Sequence, residues 1–134
     1  MAGLTRRGVL AGSAAMAAGS YAIEVRAAPE LQKITPALIE AAKKEGKLSW
    51  YTSVDLPVAE KIAKAFEAAY PGVSMKVERS GAERIFQRIG QEYQSKIYNC
   101  DVVNSSDAAH LIIWKRASML ASFLPEDVAR YFPK

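Results

Sequence analysis

The amino-acid sequence predicts an α/β fold that is built on a parallel sheet. Three observations support this prediction. Strand-like and helix-like segments alternate along most of the chain, turn-forming residues close the helical segments, and half of the 134 residues are apolar while a quarter are charged. Alternation of this kind is typical of parallel sheets with right-handed crossovers. The length and the composition suit one globular domain.

The predicted elements follow one another without an internal repeat or a low-complexity linker. In chain order they are a helix at 35–46, a strand at 48–53, a helix at 57–70, a strand at 73–79, a helix at 80–97, a strand at 100–105, a helix at 107–120 and a short helix from Pro125. Thr35 can cap the first helix, and Gly46 suits its exit. Ser80 and Glu83 have the spacing of a capping box, so we expect Ser80 to cap its helix. We also expect Ser106 to cap the next helix.

Apolar residues at helical spacing predict which side of each helix is buried. In the helix at 57–70 they are Val58, Ile62, Ala65, Phe66, Ala69 and Tyr70. In the helix at 80–97 they are Ile85, Ile89 and Tyr93. The single cysteine, Cys100, lies in a β-branched run and is interpreted as buried filler rather than as a nucleophile. One cysteine cannot form an intrachain disulfide, and we expect neither a metal site nor a cofactor.

The first 27 residues have the anatomy of a cleaved export signal. A basic start is followed by an uncharged stretch at 8–23 and then by small residues. That stretch falls short of the ~20 strongly apolar residues that a membrane span needs. Thr5-Arg6-Arg7-Gly8-Val9-Leu10 resembles the twin-arginine export motif, although a general secretory signal would also fit. We expect cleavage after Ala27 and a soluble periplasmic protein made of residues 28–134.

The balance of charge argues against a nucleic-acid partner. The net charge is +4, and part of it comes from the predicted export segment. No basic stripe with interleaved aromatic residues follows, as a nucleic-acid-binding surface would require. Arg79, Arg84 and Arg88 could attract an anionic ligand, or Arg84 and Arg88, four residues apart, could form a solvated helix face.

Small polar residues follow each of the three predicted strands. They are Thr52 and Ser53 after the first strand, Ser80 and Gly81 after the second, and Ser105, Ser106 and Asp107 after the third. Parallel α/β sheets bind ligands outside the carboxyl ends of their strands, where helix N-termini present free N–H groups. These residues are therefore candidates for ligand binding. Helix capping alone would explain any single junction, since serine and aspartate are preferred caps.

A catalytic role is the alternative for the third junction. Ser105 or Ser106 with His110 would make a hydrolase, but His110 has no evident carboxylate or nucleophile partner along the sequence. The sequence also contains no nucleophile elbow, no phosphate-binding loop and no dinucleotide-binding fingerprint. We therefore expect no catalytic residues and no enzyme activity.

The order of these pieces resembles the start of extracellular solute-binding proteins of bacterial ABC importers, in the branch that includes ferric-iron-binding proteins. Three stretches carry the resemblance: EAAKKEGKLSWYTSVD, AKAFEAAYPGVSMKVERSGAERIFQRI and DVVNSSDAAHLIIWKR. The most telling piece runs from Phe66 to Val73 and fits the pattern F-x-x-x-Y-P-G-V. The order and spacing of the pieces, rather than one motif, make the resemblance specific.

The resemblance implies a type II periplasmic-binding-protein-like fold, in which two α/β lobes close on a small solute and deliver it to a membrane permease. The first lobe would contribute the ends of its first three strands, which match the polar residues at the three junctions. The family chain is longer, so these residues would be the N-terminal part of the first lobe, apparently truncated. Iron-binding members use tyrosines of the second lobe, which leaves iron and a small organic or inorganic anion both open as the ligand.

The interpretation also covers partners and assembly, and two competing classes of protein stay open. The partners would be a small molecule or ion and an ABC-transporter permease, and the protein would be a monomer. A self-contained periplasmic α/β hydrolase with a Ser/His pair is the competing class. A module that contacts a permease without binding a ligand is a third class.

Overall fold

Ten helices and strands follow one another along residues 29–131, the part of the chain that this computed structural model describes. The strands are β1 (Leu31–Gln32), β2 (Lys47–Thr52), β3 (Ser74–Arg79), β4 (Val102–Asn104) and β5 (Leu124–Pro125). The helices are α1 (Pro36–Glu45), α2 (Leu56–Ala69), α3 (Ala82–Gln94), α4 (Ala108–Arg116) and α5 (Val128–Tyr131). The export signal predicted at 1–27 lies outside the described residues. Within them, no helix has the length and hydropathy of a membrane span.

Three strands form the central parallel sheet, in the order β3-β2-β4. Trp50 of β2 is paired with Val77 of β3 on one side and with Val102 of β4 on the other. The chain passes from β2 through α2 to β3, and then returns through α3 to β4 on the far side of β2. The predicted α/β class with a parallel sheet is confirmed.

Local signals in the sequence set both ends of α1. The Thr35 hydroxyl oxygen accepts a hydrogen bond from the backbone N–H of Leu38 at 3.2 Å, and Pro36 occupies the first turn. Gly46 ends the helix with a φ of 72°, in the left-handed region that favours glycine. Its N–H donates to the carbonyl of Ala42 at 2.9 Å. The predicted cap and exit of this helix are therefore confirmed.

The core is a small cluster in which α3 and α4 meet β2. Its buried side chains are Tyr51, Ile85, Ile89 and Trp114, and the partly buried Phe86, Cys100, Val103 and Met119 pack against them. Ile85 and Ile89 are buried as predicted, whereas Tyr93 is 37% exposed and donates a hydrogen bond to the carbonyl of Met119 at 2.8 Å. Burial raises the pKa of the Cys100 thiol to about 11, which favours its protonated form.

α2 buries a side that overlaps only in part with the one that the apolar pattern predicts, since Phe66 and Tyr70 are half-buried. Ala59 and Ala63 are buried, whereas Val58 is 48% exposed and Ile62 is 45% exposed. The apolar residues of α2 cover a wider arc than the surface that meets β3. Alanines at positions i and i+4 lie on one side of the helix and let its backbone approach the strand closely. The prediction that Val58 and Ile62 face the core is therefore wrong.

A second, two-stranded parallel sheet joins β1 to β5, with Leu31 opposite Leu124. The carbonyl of Gln32 also accepts the backbone N–H of Glu126 at 2.9 Å. Neither strand was predicted from the sequence, because two residues are too few to reveal an alternation of apolar and polar side chains. This pairing brings the two ends of the described chain together.

Candidate functional site

The carboxyl ends of β2, β3 and β4 lie at one edge of the central sheet, because the three strands are parallel. The chain moves from β2 to β3 on one side and then crosses back to β4 on the other side of β2. The strand order therefore reverses its direction between β2 and β4. Open α/β sheets bind ligands outside the carboxyl ends of their strands at such a reversal. We call the three loops at this edge, residues 52–55, 79–83 and 104–110, the carboxyl rim.

Hydrogen bonds tie the three loops of the carboxyl rim together. The backbone N–H of Ser106 donates to Ser53 Oγ at 3.0 Å, which joins the third loop to the first. The N–H of Ser80 donates to the carbonyl of Thr52 at 3.1 Å, which joins the second loop to the first. Thr52 is fully buried, and its hydroxyl donates to Asn104 Oδ1 at 3.4 Å. The structure thus places the polar residues of the three junctions at one edge of the sheet.

Asp107, rather than Ser106, caps α4. The helix begins at Ala108, and Asp107 Oδ1 accepts the backbone N–H of Ala109 at 2.8 Å. The N–H of Asp107 is itself engaged, since it donates to Ser105 Oγ at 3.1 Å. Ser106 lies one residue too early to cap the helix. The prediction that Ser106 is the cap is therefore wrong.

Ser80 does not cap α3. The helix begins at Ala82 with Gly81 as its N-cap residue, so Ser80 and Glu83 stand one position too early for a capping box. Ser80 instead continues the pairing of β3 with β2 through its backbone N–H. Glu83 accepts a hydrogen bond from Gln87 Nε2 at 3.0 Å. The predicted capping box is therefore wrong.

His110 connects the third loop to α3. Its ring is 6% exposed and stacks on Phe86, with ring centroids 4.4 Å apart. Nδ1 lies 3.1 Å from Ser105 Oγ, and Nε2 lies 3.3 Å from Glu83 Oε2 and 3.7 Å from Asp107 Oδ2. Because carboxylates only accept hydrogen bonds, we assign a proton to Nε2, which faces them. The fold thus gives His110 neighbours that were not evident along the sequence.

Glu83 and Asn104 were missed as residues of this site. Glu83 had a local explanation in the sequence, because it stood at capping-box distance from Ser80. Its contact with His110 joins two loops that only the sheet topology brings together. Asn104 is the last residue of β4, and its amide meets Thr52 across the strand pair. No spacing along the chain could have revealed either contact.

An open cavity of about 550 Å³ lies beside the second loop. It is lined by Arg79, Ser80, Gly81, Glu83, Arg84 and Gln87. A Cβ atom added to Gly81 would meet no other atom within 4 Å, so the backbone of Gly81 borders open space. Nowhere in residues 29–131 are three histidine, cysteine, aspartate or glutamate side chains grouped to hold a metal ion. The cavity offers two guanidinium groups, one carboxylate, an amide, a hydroxyl group and exposed backbone.

Removing the cap of α4 tests the corrected assignment. We expect Asp107→Ala to lower the free energy of unfolding by about 1 kcal/mol, because the N–H of Ala109 loses its acceptor. Ser106→Ala is the matched control and should change stability by less than about 0.5 kcal/mol, since the Ser106 side chain is exposed. Urea denaturation measures both. A larger loss for Ser106→Ala than for Asp107→Ala would restore Ser106 as the cap.

The fold and the carboxyl rim together define an α/β domain with a ligand-sized cavity at the carboxyl edge of a parallel sheet. No known family model matches the chain, and no curated protein matches it significantly. The support for a particular function therefore comes from the geometry of the rim and from the sequence resemblance.

Proposed function

We propose that this chain is the solute-binding component of an ABC importer, with its parallel sheet as one lobe of a type II periplasmic-binding-protein-like fold. It would capture a small solute, either iron or a small organic or inorganic anion, and deliver it to a permease. The observation that carries this proposal is that three polar loops meet at the carboxyl edge of the sheet, where the second loop borders an open cavity. The predicted export signal would place the protein in the periplasm.

The size and shape of the cavity support capture of a small solute. Its volume of about 550 Å³ falls within the range of about 300 to 1,000 Å³ that is usual for ligand pockets. It is open on one side, so the described residues would form one wall of a cleft. In the two-lobed arrangement that the resemblance implies, the second lobe would supply the other wall. We therefore expect this chain alone to bind solutes weakly, because pockets normally enclose about 70% or more of a ligand.

Filling the cavity tests the proposal. Gly81→Leu should weaken the binding of a solute by at least about tenfold, because the new side chain would occupy the space that borders Gly81. Its φ of −65° and ψ of 147° accept any L-residue, so the cost to the fold should stay near 1 kcal/mol from the poorer N-cap. The binding of ferric citrate, succinate, inorganic phosphate and putrescine can be followed by amide chemical shifts.

Gly90→Leu is the matched control for that experiment. Gly90 lies within α3, and a Cβ atom added there also meets no atom within 4 Å, but it does not line the cavity. This variant should bind every solute as the unmodified chain does. Equal weakening by both substitutions, or no weakening by Gly81→Leu, would place solute binding away from the carboxyl rim and contradict the proposal.

A hydrolase is the second candidate function, and one observation favours it. Ser105 is hydrogen-bonded to His110, and the Glu83 carboxylate lies 3.3 Å from the other ring nitrogen, so that a hydroxyl, an imidazole and a carboxylate follow one another, as in serine hydrolases. Two observations count against it. The N–H of Asp107 donates to Ser105 Oγ, and the N–H of Ser106 donates to Ser53 Oγ.

The two backbone donors nearest to Ser105 are thus engaged and are not free to stabilise an oxyanion. The order of the ring atoms also differs from the familiar triad, since here Nδ1 rather than Nε2 faces the serine. The same contacts are explained without catalysis, because they fix the third loop against α3. Turnover of an activated ester distinguishes the two functions, since only the hydrolase needs the Ser105 hydroxyl as a nucleophile.

A further inference from the structure

A second, narrower cavity of about 80 Å³ lies next to the carboxyl end of β3. Its walls are Tyr51, Glu78, Arg79, Ser80, Arg84, Ile85 and Arg88. Three guanidinium groups therefore line a space that only one carboxylate also lines. We call this space the arginine slot.

The one carboxylate that lines the slot, that of Glu78, is already engaged by other cations. Glu78 forms ion pairs with Lys76 at 2.6 Å and with Arg88 at 3.2 Å, and these hydrogen bonds hold the pKa of its carboxyl below the ordinary value. Arg88 also contacts Glu92 at 2.9 Å, and its guanidinium lies 4.3 Å from the centre of the Tyr51 ring. Arg88 is thus neutralised by two carboxylates and held against the core.

The positive charge that remains belongs to Arg79 and Arg84. Within residues 29–131, the single ion pair of Arg79 is with Asp55, at 3.8 Å, and the Asp55 side chain is 84% exposed, so solvent screens most of that attraction. Arg84 forms no ion pair with any residue of the described range 29–131. Two guanidinium groups at this edge therefore lack a strong internal counter-ion.

The slot adjoins the open cavity of the carboxyl rim, since Arg79, Ser80 and Arg84 line both spaces. Its 80 Å³ equals the volume of about three water molecules in the liquid, which suits a single carboxylate or phosphate group. The cavity of about 550 Å³ beside it has room for the rest of a small molecule. The two spaces thus differ in size, and three guanidinium groups line the slot whereas two line the cavity.

We propose that the solute is a small organic anion, with its carboxylate or phosphate group in the arginine slot between Arg79 and Arg84 and its body in the cavity beside Ser80 and Gly81. This inference rests on the proposed solute-binding function and selects among the ligands that it leaves open. Guanidinium groups bind carboxylate and phosphate in a bidentate manner. Such binding sets the orientation of the ligand and favours a negatively charged one. The same positive field disfavours a cationic solute.

The test uses the full chain, four solutes, three substitutions that remove a charge and one that keeps it. Succinate and glycerol phosphate supply the two kinds of anionic group, glycerol supplies the uncharged body, and putrescine supplies a cation. Arg84→Gln should weaken the binding of both anions by about tenfold or more, because it removes a charge-assisted hydrogen bond. Arg79→Gln should act in the same direction. Arg84→Lys keeps the charge but not the bidentate geometry, so it should recover part of the loss.

Arg116→Gln is the control, because it removes the same charge from the exposed last turn of α4, which lines neither space. It should leave binding of both anions unchanged. A comparison of the two anions then tells whether the slot takes a carboxylate or a phosphate group. Equal weakening by Arg116→Gln and Arg84→Gln would reduce the effect to general electrostatic attraction and overturn the inference.

The outcomes also separate this inference from the proposed function. Binding of putrescine or glycerol at the carboxyl rim, insensitive to Arg79→Gln and Arg84→Gln, would overturn the anion inference while solute binding stands. Failure of both anions to bind saturably would overturn the inference as well. The proposed function would fail only if the neutral, cationic and ferric solutes also did not bind at the rim.

Discussion

Trp114→Ala should lower the free energy of unfolding by about 3 to 5 kcal/mol, as is typical of a buried tryptophan. Trp114 is 1% exposed and belongs to the cluster in which α3 and α4 meet β2. Its ring lies 5.6 Å from that of Phe86 and 5.9 Å from that of His110, measured between centroids. Truncation would leave a cavity that these rings cannot fill without moving. The loss is large beside the total stability of a small domain, which is about 5 to 15 kcal/mol.

Ile112→Ala is the control on the same helix. Ile112 is 51% exposed, so its truncation removes few buried contacts and should cost less than about 1 kcal/mol. Urea denaturation of both variants measures the difference in their free energies of unfolding. The slope of that free energy against urea concentration is compared as well. Equal losses for the two substitutions would mean that α4 does not pack as described, and the link between His110 and α3 would be in doubt.

Alkaline pH should remove about 3 kcal/mol of stability through one buried tyrosine. Burial, followed by the hydrogen bond from its hydroxyl to Glu92, raises the pKa of Tyr51 from 10.0 to about 12. The fold therefore favours the protonated phenol. This contribution is fully present below pH 10.0 and is lost as the pH rises towards about 12, because the unfolded chain ionises first. Each unit of pKa difference corresponds to about 1.4 kcal/mol.

Tyr51→Phe isolates this effect from the other groups that ionise at high pH. The variant keeps the buried ring but has no hydroxyl, so the decline in its stability between pH 10.0 and about pH 12 should be shallower than in the unmodified chain. Tyr98→Phe is the control, because Tyr98 is 64% exposed. Urea denaturation across this pH range provides the comparison. An unchanged decline in Tyr51→Phe would contradict the assigned cause of the raised pKa.

The parts of the fold that depend on local signals could be predicted from the sequence. Thr35 and Gly46 mark the ends of α1 through hydrogen bonds that span only a few residues. The alternation of strands and helices predicts the parallel sheet, because a parallel pair needs a crossover. The position of the polar residues that follow the strands could be predicted in the same way. Because parallel strands share one carboxyl edge, these residues had to lie at the same edge of the sheet.

The parts that depend on long-range contacts could not be predicted. In α2 the buried residues are the small Ala59 and Ala63 rather than the larger Val58 and Ile62, a choice that an apolar pattern does not encode. The N-cap of α3 is Gly81 rather than Ser80, whose backbone N–H pairs with β2. The N-cap of α4 is Asp107, the residue after Ser106. The contact of His110 with Glu83 forms only when α3 packs against the third loop.

The most direct test of the central claim is the location of a bound anion on the full chain. Amide signals followed during titration with succinate should shift in the second loop of the carboxyl rim, residues 79–83, and in the first turns of α3, because these residues line the arginine slot and the cavity beside it. The competing location is the polar cavity of about 390 Å³ near the amino ends of the strands, lined in part by Lys47, Ser49 and Lys76. Shifts that are confined to that cavity, with none in the rim, would contradict the assignment of the solute site to the carboxyl edge of the sheet.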